Sequence, residues 1–235
     1  VLGLHLDAAA RAYPIAILNW HEIVNDRIGN QAAVISYCPL CGSGMAFAVD
    51  GERADFGVSG LLYNSDMLLF DRETESLWSQ IKMTAISGER LGEKLVAVPL
   101  MHTDWQHWLQ QHPDTLLLSR KTGYRRNYDE SPYLGYDISE NLFFSITYDD
   151  KRYPRKENII GLVNNDSQKV WPFSELRKSN LPVEDNVGDL NIIIYYDADR
   201  DHAWITDEAG KLLAGTRGYW FAWMAFYPDS EVFTQ

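Results

Sequence analysis

AVISYCPLCGSGMAFAVDG, Ala33 to Gly51, is the stretch on which the fold turns. Ala33-Val34-Ile35-Ser36-Tyr37 is β-branched and aromatic, reads as a strand, and runs directly into two cysteines. Met45-Ala46-Phe47-Ala48-Val49 alternates large with small side chains, the period of a second strand. Asp50-Gly51 then signals a hairpin, because Gly tolerates positive φ, and the return strand is expected from Arg53 to Val58.

Working outward, residues 67–70 and 76–80 continue the β pattern. Residues 191–196 and 202–206 form a further hairpin pair, and a turn at Glu208-Ala209-Gly210-Lys211 leads into Leu212-Leu213. Helices are few and short. His102 or Thr103 would cap residues 104–111, which end before Pro113. Residues 172–177 are a second candidate, and residues 14–20 read as either helix or strand. The expected class is mainly β, of the α+β kind with few short helices.

The chain also echoes itself. Arg11-Ala12-Tyr13-Pro14 resembles Lys151-Arg152-Tyr153-Pro154, and Val24-Asn25-Asp26 resembles Asn164-Asn165-Asp166. Val34-Ile35-Ser36-Tyr37 resembles Ile193-Ile194-Tyr195-Tyr196. Trp105 and Trp108 ahead of His112-Pro113-Asp114-Thr115 resemble Trp220 and Trp223 ahead of Tyr227-Pro228-Asp229-Ser230. Four matches in one order point to internal duplication. We expect two pseudo-repeated β-rich halves, 1–123 and 124–235, packed as one compact unit. The second has Asp197-Ala198-Asp199 where the first has its cysteines, and lacks a counterpart of residues 56–80. What only one half carries is a candidate for function.

Composition narrows the partners. The chain has 33 Asp and Glu against 21 Lys and Arg, a net charge of −12, which repels a phosphate backbone and argues against nucleic acid. The basic run 120–126 is short and reads as a solvated loop. No apolar run approaches the roughly 18 residues of a membrane span. The chain begins at Val1 rather than Met, consistent with removal of a leader or anchor. Eight Trp, thirteen Tyr and nine Phe suit β-rich layers or an aromatic-lined cleft.

Both cysteines lie in Cys38-Pro39-Leu40-Cys41-Gly42. Pro fixes φ after the first and Gly permits the turn after the second, as in the metal knuckles of rubredoxin and zinc ribbons. A tetrahedral site needs four ligands, and no second knuckle exists, so histidine, carboxylate or methionine must supply the rest. His21, just before the strand that delivers Cys38, is the nearest candidate; Met45 would suit a soft ion. The metal would be zinc or copper, with iron less favoured. The same turn suits a dithiol–disulfide pair, although no amphipathic helix follows it as in thioredoxin-like sites. An inert turn is the third reading. A disulfide across so small a ring is a poor staple.

Residues 56–66 mix glycines and polar residues with apolar ones, and Ser59, Tyr63, Asn64, Ser65 and Asp66 are the candidate pocket wall. Asp71-Arg72 reads as a turn with an ion pair. Glu22 and Asp26 are acid–base candidates, though Asn25-Asp26 before Gly29 is also a turn signal. No Gly-x-Ser-x-Gly elbow, P-loop, dinucleotide fingerprint or His-Glu-x-x-His motif is present, so no catalytic residue is assigned.

In combination these pieces resemble an uncharacterised prokaryotic family, the domain of unknown function DUF3179. The residues that carry the resemblance are Arg11-Ala12-Tyr13-Pro14, His21-Glu22-Ile23-Val24-Asn25-Asp26, Tyr37-Cys38-Pro39-Leu40-Cys41, Phe56-Gly57-Val58-Ser59-Gly60, Asp71-Arg72 with Ser76-Leu77-Trp78-Ser79-Gln80, and Trp220-Phe221-Ala222-Trp223. Tyr227-Pro228 departs from the His-Pro that the resemblance leads us to expect, and no ligand is carried over to it. The resemblance implies membership and no named activity. It also implies an extracytoplasmic location, periplasmic or secreted.

The functional expectation is a metal-binding protein, redox-linked or metal-dependent, using Cys38 and Cys41 with His21 as a third ligand. One alternative is a non-catalytic module whose aromatic cleft binds a small molecule, carbohydrate, peptide or protein partner, with the cysteines as a local disulfide. The other is an exported thiol–disulfide protein.

Overall fold

The computed structural model describes residues 1–51 and 55–235. The chain opens with β1 (Leu2–Leu6), β2 (Ala9–Tyr13) and α1 (Ile15–His21). Strands β3 (Ile23–Ile28), β4 (Gln31–Cys38) and β5 (Ser43–Val49) follow, then β6 (Phe56–Tyr63), β7 (Asp66–Asp71), β8 (Leu77–Ser79) and β9 (Thr84–Ser87). Next come β10 (Val96–Val98), β11 (Met101–His102), α2 (Trp105–Gln111) and β12 (Leu116–Leu117). A long coil leads to β13 (Asn158–Asn164), β14 (Ser167–Pro172), α3 (Phe173–Leu176), β15 (Val183–Val187), β16 (Leu190–Asp197) and β17 (His202–Asp207). The chain closes with β18 (Thr216–Tyr219), α4 (Trp220–Phe226) and β19 (Glu231–Val232).

Among the described residues these strands form five small sheets, arranged as a five-bladed β-propeller. Blade I runs β11-β1-β2-β12, blade II β10-β5-β4-β3, blade III β6-β7-β8-β9, blade IV β18-β13-β14-β19 and blade V β15-β16-β17. β3 touches both β2 and β6, which joins blade II to blades I and III. β11 meets β17, β13 meets β15, and α4 packs on the β6–β7 turn, which completes the ring. β4 is buried along almost its whole length because both of its faces are covered.

Blades I and IV share one register. Leu2 pairs with Tyr13 as Ile160 pairs with Trp171, and both sheets end in a parallel edge strand placed after a seven-residue helix. Trp108 packs on Gly3 and Trp223 on Gly161, where an added Cβ would lie 2.2 and 2.4 Å from the indole ring. The Trp108 indole N–H donates to Thr115 Oγ1 and that of Trp223 to Ser230 Oγ, each at 2.9 Å. Tyr13 donates to Asp26 at 2.7 Å and Trp171 to Asp185 at 2.9 Å, so the same bond ties blade I to β3 and blade IV to β15.

This register corrects two of the sequence echoes. Tyr13-Pro14 matches Trp171-Pro172, each Pro standing at the N-cap of a helix, and not Tyr153-Pro154. Asn165-Asp166 is the β13–β14 turn, the counterpart of Asp7-Ala8 between β1 and β2, whereas Asp26 matches Asp185. The echoes at Val34 and Trp105 coincide with the register.

The expected hairpin at Asp50-Gly51 does not form. β5 pairs with β4 on one edge and with β10, from 96–98, on the other, and β6 belongs to blade III. Arg53, where that return strand was to start, lies outside the described residues. The cap of α2 is Asp104, whose carboxylate accepts from His107 N at 2.8 Å, rather than His102 or Thr103. Residues 15–20 are helical, within α1, with Pro14 as the extended N-cap.

Candidate metal centre

β4 delivers Cys38 to a four-residue turn that returns at Ser43, its register partner in β5. Cys41 N donates to Cys38 O at 3.2 Å, closing the turn. Gly42 has φ +62, and an added Cβ would lie 2.9 Å from the Tyr219 ring, so both the backbone and the space exclude a side chain there. Cys38 and Cys41 are free thiols, 1 % and 0 % exposed.

Blade III supplies what faces them. Tyr63 and Asp66 are paired across a two-residue turn, Asn64-Ser65, in which both residues have positive φ, +52 and +65. The Ser65 carbonyl accepts from Cys41 Sγ at 3.4 Å and lies 3.9 Å from Cys38 Sγ. Asp66 follows it and is completely buried. Its Oδ2 accepts from Ile81 N at 3.1 Å and Ser79 Oγ at 3.4 Å, whereas Oδ1 has no partner. Ligand atoms of Cys38, Cys41 and Asp66 all lie within 4.8 Å of one another.

Burial sets the proton states. It pushes the Asp66 carboxyl up to about 7, against the pull of the Ile81, Met67, Ser79 and Cys41 donors. It raises the Cys41 thiol well above its ordinary value, with Cys38 and then Asp66 adding to the effect. A divalent cation reverses this balance by favouring thiolate and carboxylate. Two sulfurs and one hard oxygen suit zinc, and suit Cu(I) less, which prefers an all-sulfur set.

Around the cluster, polar contacts join the blades. Gln80 accepts from Ser43 Oγ at 2.7 Å and donates to Ser36 Oγ at 2.9 Å, locking blade III to blade II. Asn64 donates to Ala225 O in α4 and accepts from Thr147 N in the coil. Ser65 Oγ donates to Phe144 O at 2.9 Å. The coil after β12 is thereby strapped over the site, and Tyr136 from it joins Cys38 and Cys41 in one buried cluster with Phe221 and Phe226.

The other sequence candidates are placed elsewhere. His21 ends α1, bonds the Tyr128 hydroxyl at 2.6 Å and packs on Tyr124 and Tyr128, apart from the cysteines' cluster. Met45 is a buried core residue. Ser59 donates to Leu68 O beside the irregular register of β6, and Tyr63 packs edge-on against Phe226. Asp26 holds Tyr13, and Glu22 caps α1. Asp71 binds Thr74 and the Trp78 indole, and Arg72 pairs with Asp55 at 3.2 Å, so the expected Asp71–Arg72 pair is corrected. Asp66, expected from the sequence as a pocket wall, instead stands among the ligand atoms, where the packing of blade III brings it.

A cleft of about 670 Å³ lies between blades II and III, lined among others by Gln31, Phe56, Arg72, Trp78 and Arg90. None of Ser59, Tyr63, Asn64, Ser65 or Asp66 lines it.

With this geometry in view, comparison with known families is decisive for membership: the family profile for proteins of unknown function, DUF3179, matches residues 1–214. The chain belongs to the DUF3179 family. The match takes in the cysteine turn, all of blade III and the strap. No curated protein and no solved structure matches this DUF3179 chain. No helix among its described residues is long and apolar enough to cross a membrane.

Proposed function

We propose that this DUF3179 protein binds a transition metal, zinc by preference, through Cys38, Cys41 and Asp66. The observation that carries the reading is the meeting of three buried donor groups from two blades within 4.8 Å, with Asp66 Oδ1 left unpartnered. An unsatisfied buried oxygen costs about 1–3 kcal/mol and needs a reason. A cation supplies one. The site is closed to solvent, which favours a structural or storage role over Lewis-acid catalysis with exchanging water. Elemental analysis of protein purified without chelator, with a thiol count, tests it. One equivalent of metal, lost in Cys38→Ser and in Asp66→Ala, supports the reading. Metal-free protein that takes up no zinc on dialysis overturns it.

A second reading has its own observation: both thiols are free and Cys41 lies beside a carboxyl that titrates near neutrality. Such a carboxyl accepts a thiol proton as Cys38–Cys41 forms a disulfide, with a small-molecule disulfide as oxidant leaving as two thiols. Reversible titration of two thiols in metal-free protein against a glutathione redox buffer supports it. Thiols that stay reduced throughout exclude it.

We also read the chain as two pseudo-repeated halves, 1–123 and 124–235, of which only the first carries blade III. The shared register of blades I and IV supports this, as does the matched order of β3-β4-β5 and β15-β16-β17. An experimental structure in which the two halves fail to superpose would end it.

A further inference from the structure

Five of the seven buried side-chain oxygens and nitrogens that have no partner among the described residues belong to one seam of the propeller. They are His102 Nδ1, Thr103 Oγ1, both ring nitrogens of His202 and Thr206 Oγ1. They stand on β11, on the residue after it, and on β17, which packs against β11. At this seam lies a cavity of about 10 Å³, room for one water-sized species. Four blades meet around it. Gly44 comes to its wall from β5, His102 from β11, Trp204 from β17 and Arg217 from β18, and among the described residues no carboxylate lines it.

The charge there is unbalanced. Arg217 carries five N–H donors, its side chain is 19 % exposed, and among the described residues its guanidinium makes no hydrogen bond. Its ion pair is with Asp201, at 3.6 Å. That carboxylate is already taken: Oδ1 accepts from Arg177 at 3.0 Å and from the Tyr196 hydroxyl at 2.9 Å, and Oδ2 from Asn158 at 2.8 Å. Two guanidinium groups therefore share one carboxylate. Arg177 is 56 % exposed and water solvates it, whereas Arg217 is mostly buried. The Phe173 ring, 5.5 Å from Arg217, offers its face but no charge. Burial first, and then the charge of Arg217, holds His102 well below the ordinary imidazole value, so the ring is neutral and can donate one N–H from Nδ1.

We propose that this cavity binds one small monovalent anion, of the size of chloride, held by the Arg217 guanidinium and the His102 Nδ1–H. A water would satisfy a donor and leave the buried charge uncompensated; an anion answers both. The net charge of −12 does not oppose this, because exposed charges are screened over about 8 Å at physiological salt. Bound there, the anion bridges β11 of blade I to β18 of blade IV, which share no strand ladder.

The test compares melting of the full chain in sodium chloride and in sodium gluconate at one ionic strength, wild type beside Arg217→Gln. Crystals grown in sodium bromide give the second readout. From none to ten times its Kd, chloride should raise the wild-type melting temperature by roughly 3–6 °C. Arg217→Gln should melt alike in the two salts. Anomalous scattering should place one bromide in the cavity, within hydrogen-bond distance of the guanidinium. If Arg217→Gln does not fold, the wild-type melting series and the bromide position decide the question. Equal melting of wild type in chloride and gluconate overturns the proposal, as does a chloride response that Arg217→Gln retains in full. A water in the cavity in place of bromide overturns it. Bromide in the crystal without a melting response is an adventitious ion only, and overturns it too.

Discussion

The hairpin turn between β4 and β5 and the one between β16 and β17 are built alike and closed differently. Cys38 pairs with Ser43 as Asp197 pairs with His202, so each turn has four residues. The last of them has positive φ in both, +62 at Gly42 and +48 at Asp201. Cys41 and Arg200 occupy one position. In the second turn Arg200 bonds Asp197 at 2.6 Å, and the Asp197 carboxylate also accepts from the N–H of Asp199 and Arg200. That turn satisfies itself and stays partly in water, with side chains 24 % and 39 % exposed. In the first, an ion pair is replaced by two thiols, and blade III, α4 and the strap seal it. One scaffold thus makes a self-sufficient surface turn and a buried turn that lacks a charge. Among the described residues, the carboxylate that stands with the thiols, Asp66, comes from blade III, and the proposed chemistry is placed there.

The largest expected effect follows from filling that turn. With metal at a thousand times its Kd, binding to the folded state alone adds about 4 kcal/mol, so chelation should lower the melting temperature by roughly 10 °C. Calorimetry with and without chelator reads this directly. Cys41→Ser should melt identically in both conditions, and a wild type indifferent to chelator would break the comparison.

Next comes pH, in metal-free protein. Asp66 titrates at about 7 in the folded chain against 3.8 in the ordinary carboxyl, so between these values the folded state holds a proton that the unfolded state has lost. Stability from this group is full below about pH 4 and falls as pH rises toward 7. His202, lowered by burial to about 4, acts in the opposite direction: stability rises between about 4 and 6.5. The stability of Asp66→Asn relative to wild type should therefore grow by roughly 3 to 4 kcal/mol from pH 4 to 7. Urea denaturation at each pH measures it, and a pH-independent difference would show that Asp66 is not held protonated.

Much of the fold was legible because hairpins announce themselves locally. Strands 191–196 and 202–206 lie inside β16 and β17, and the cysteine turn shows in its Pro and Gly. What failed was everything set by distant chain. β10 takes the edge of β5 from 96–98, so Asp50-Gly51 carries a hairpin signal without a hairpin. Matching identities misaligned Tyr13, because its counterpart is Trp171 and what the two share is a donor for an aspartate. His21 is near the cysteines along the chain, yet α1 turns it toward Tyr128. Asp66 reaches the cysteines only through the packing of blade III, which no local pattern encodes.

A third prediction uses the paired aspartates. Asp185 is 13 % exposed and holds Trp171 and Lys169, whereas Asp26 is 30 % exposed and holds Tyr13, with Arg11 at 3.9 Å. Asp185→Ala should cost about 2 kcal/mol and Asp26→Ala about 1. Equal losses would show that the two seams are not equivalent in the way their register suggests.

The smallest expected effect is the sharpest check on the comparison itself. Arg200 faces solvent, bonds Asp197 and touches Asp104 at 3.1 Å, and the Asp197 carboxylate keeps two backbone donors if the guanidinium is removed. Exposed pairs contribute little, since water replaces what they lose. Arg200→Ala should leave the melting temperature unmoved, with or without chelator, while Cys41→Ser at the matched position abolishes the chelator response. If Arg200→Ala also altered that response, the two turns would be coupled across the propeller, and the assignment of the chemistry to blade III alone would fail.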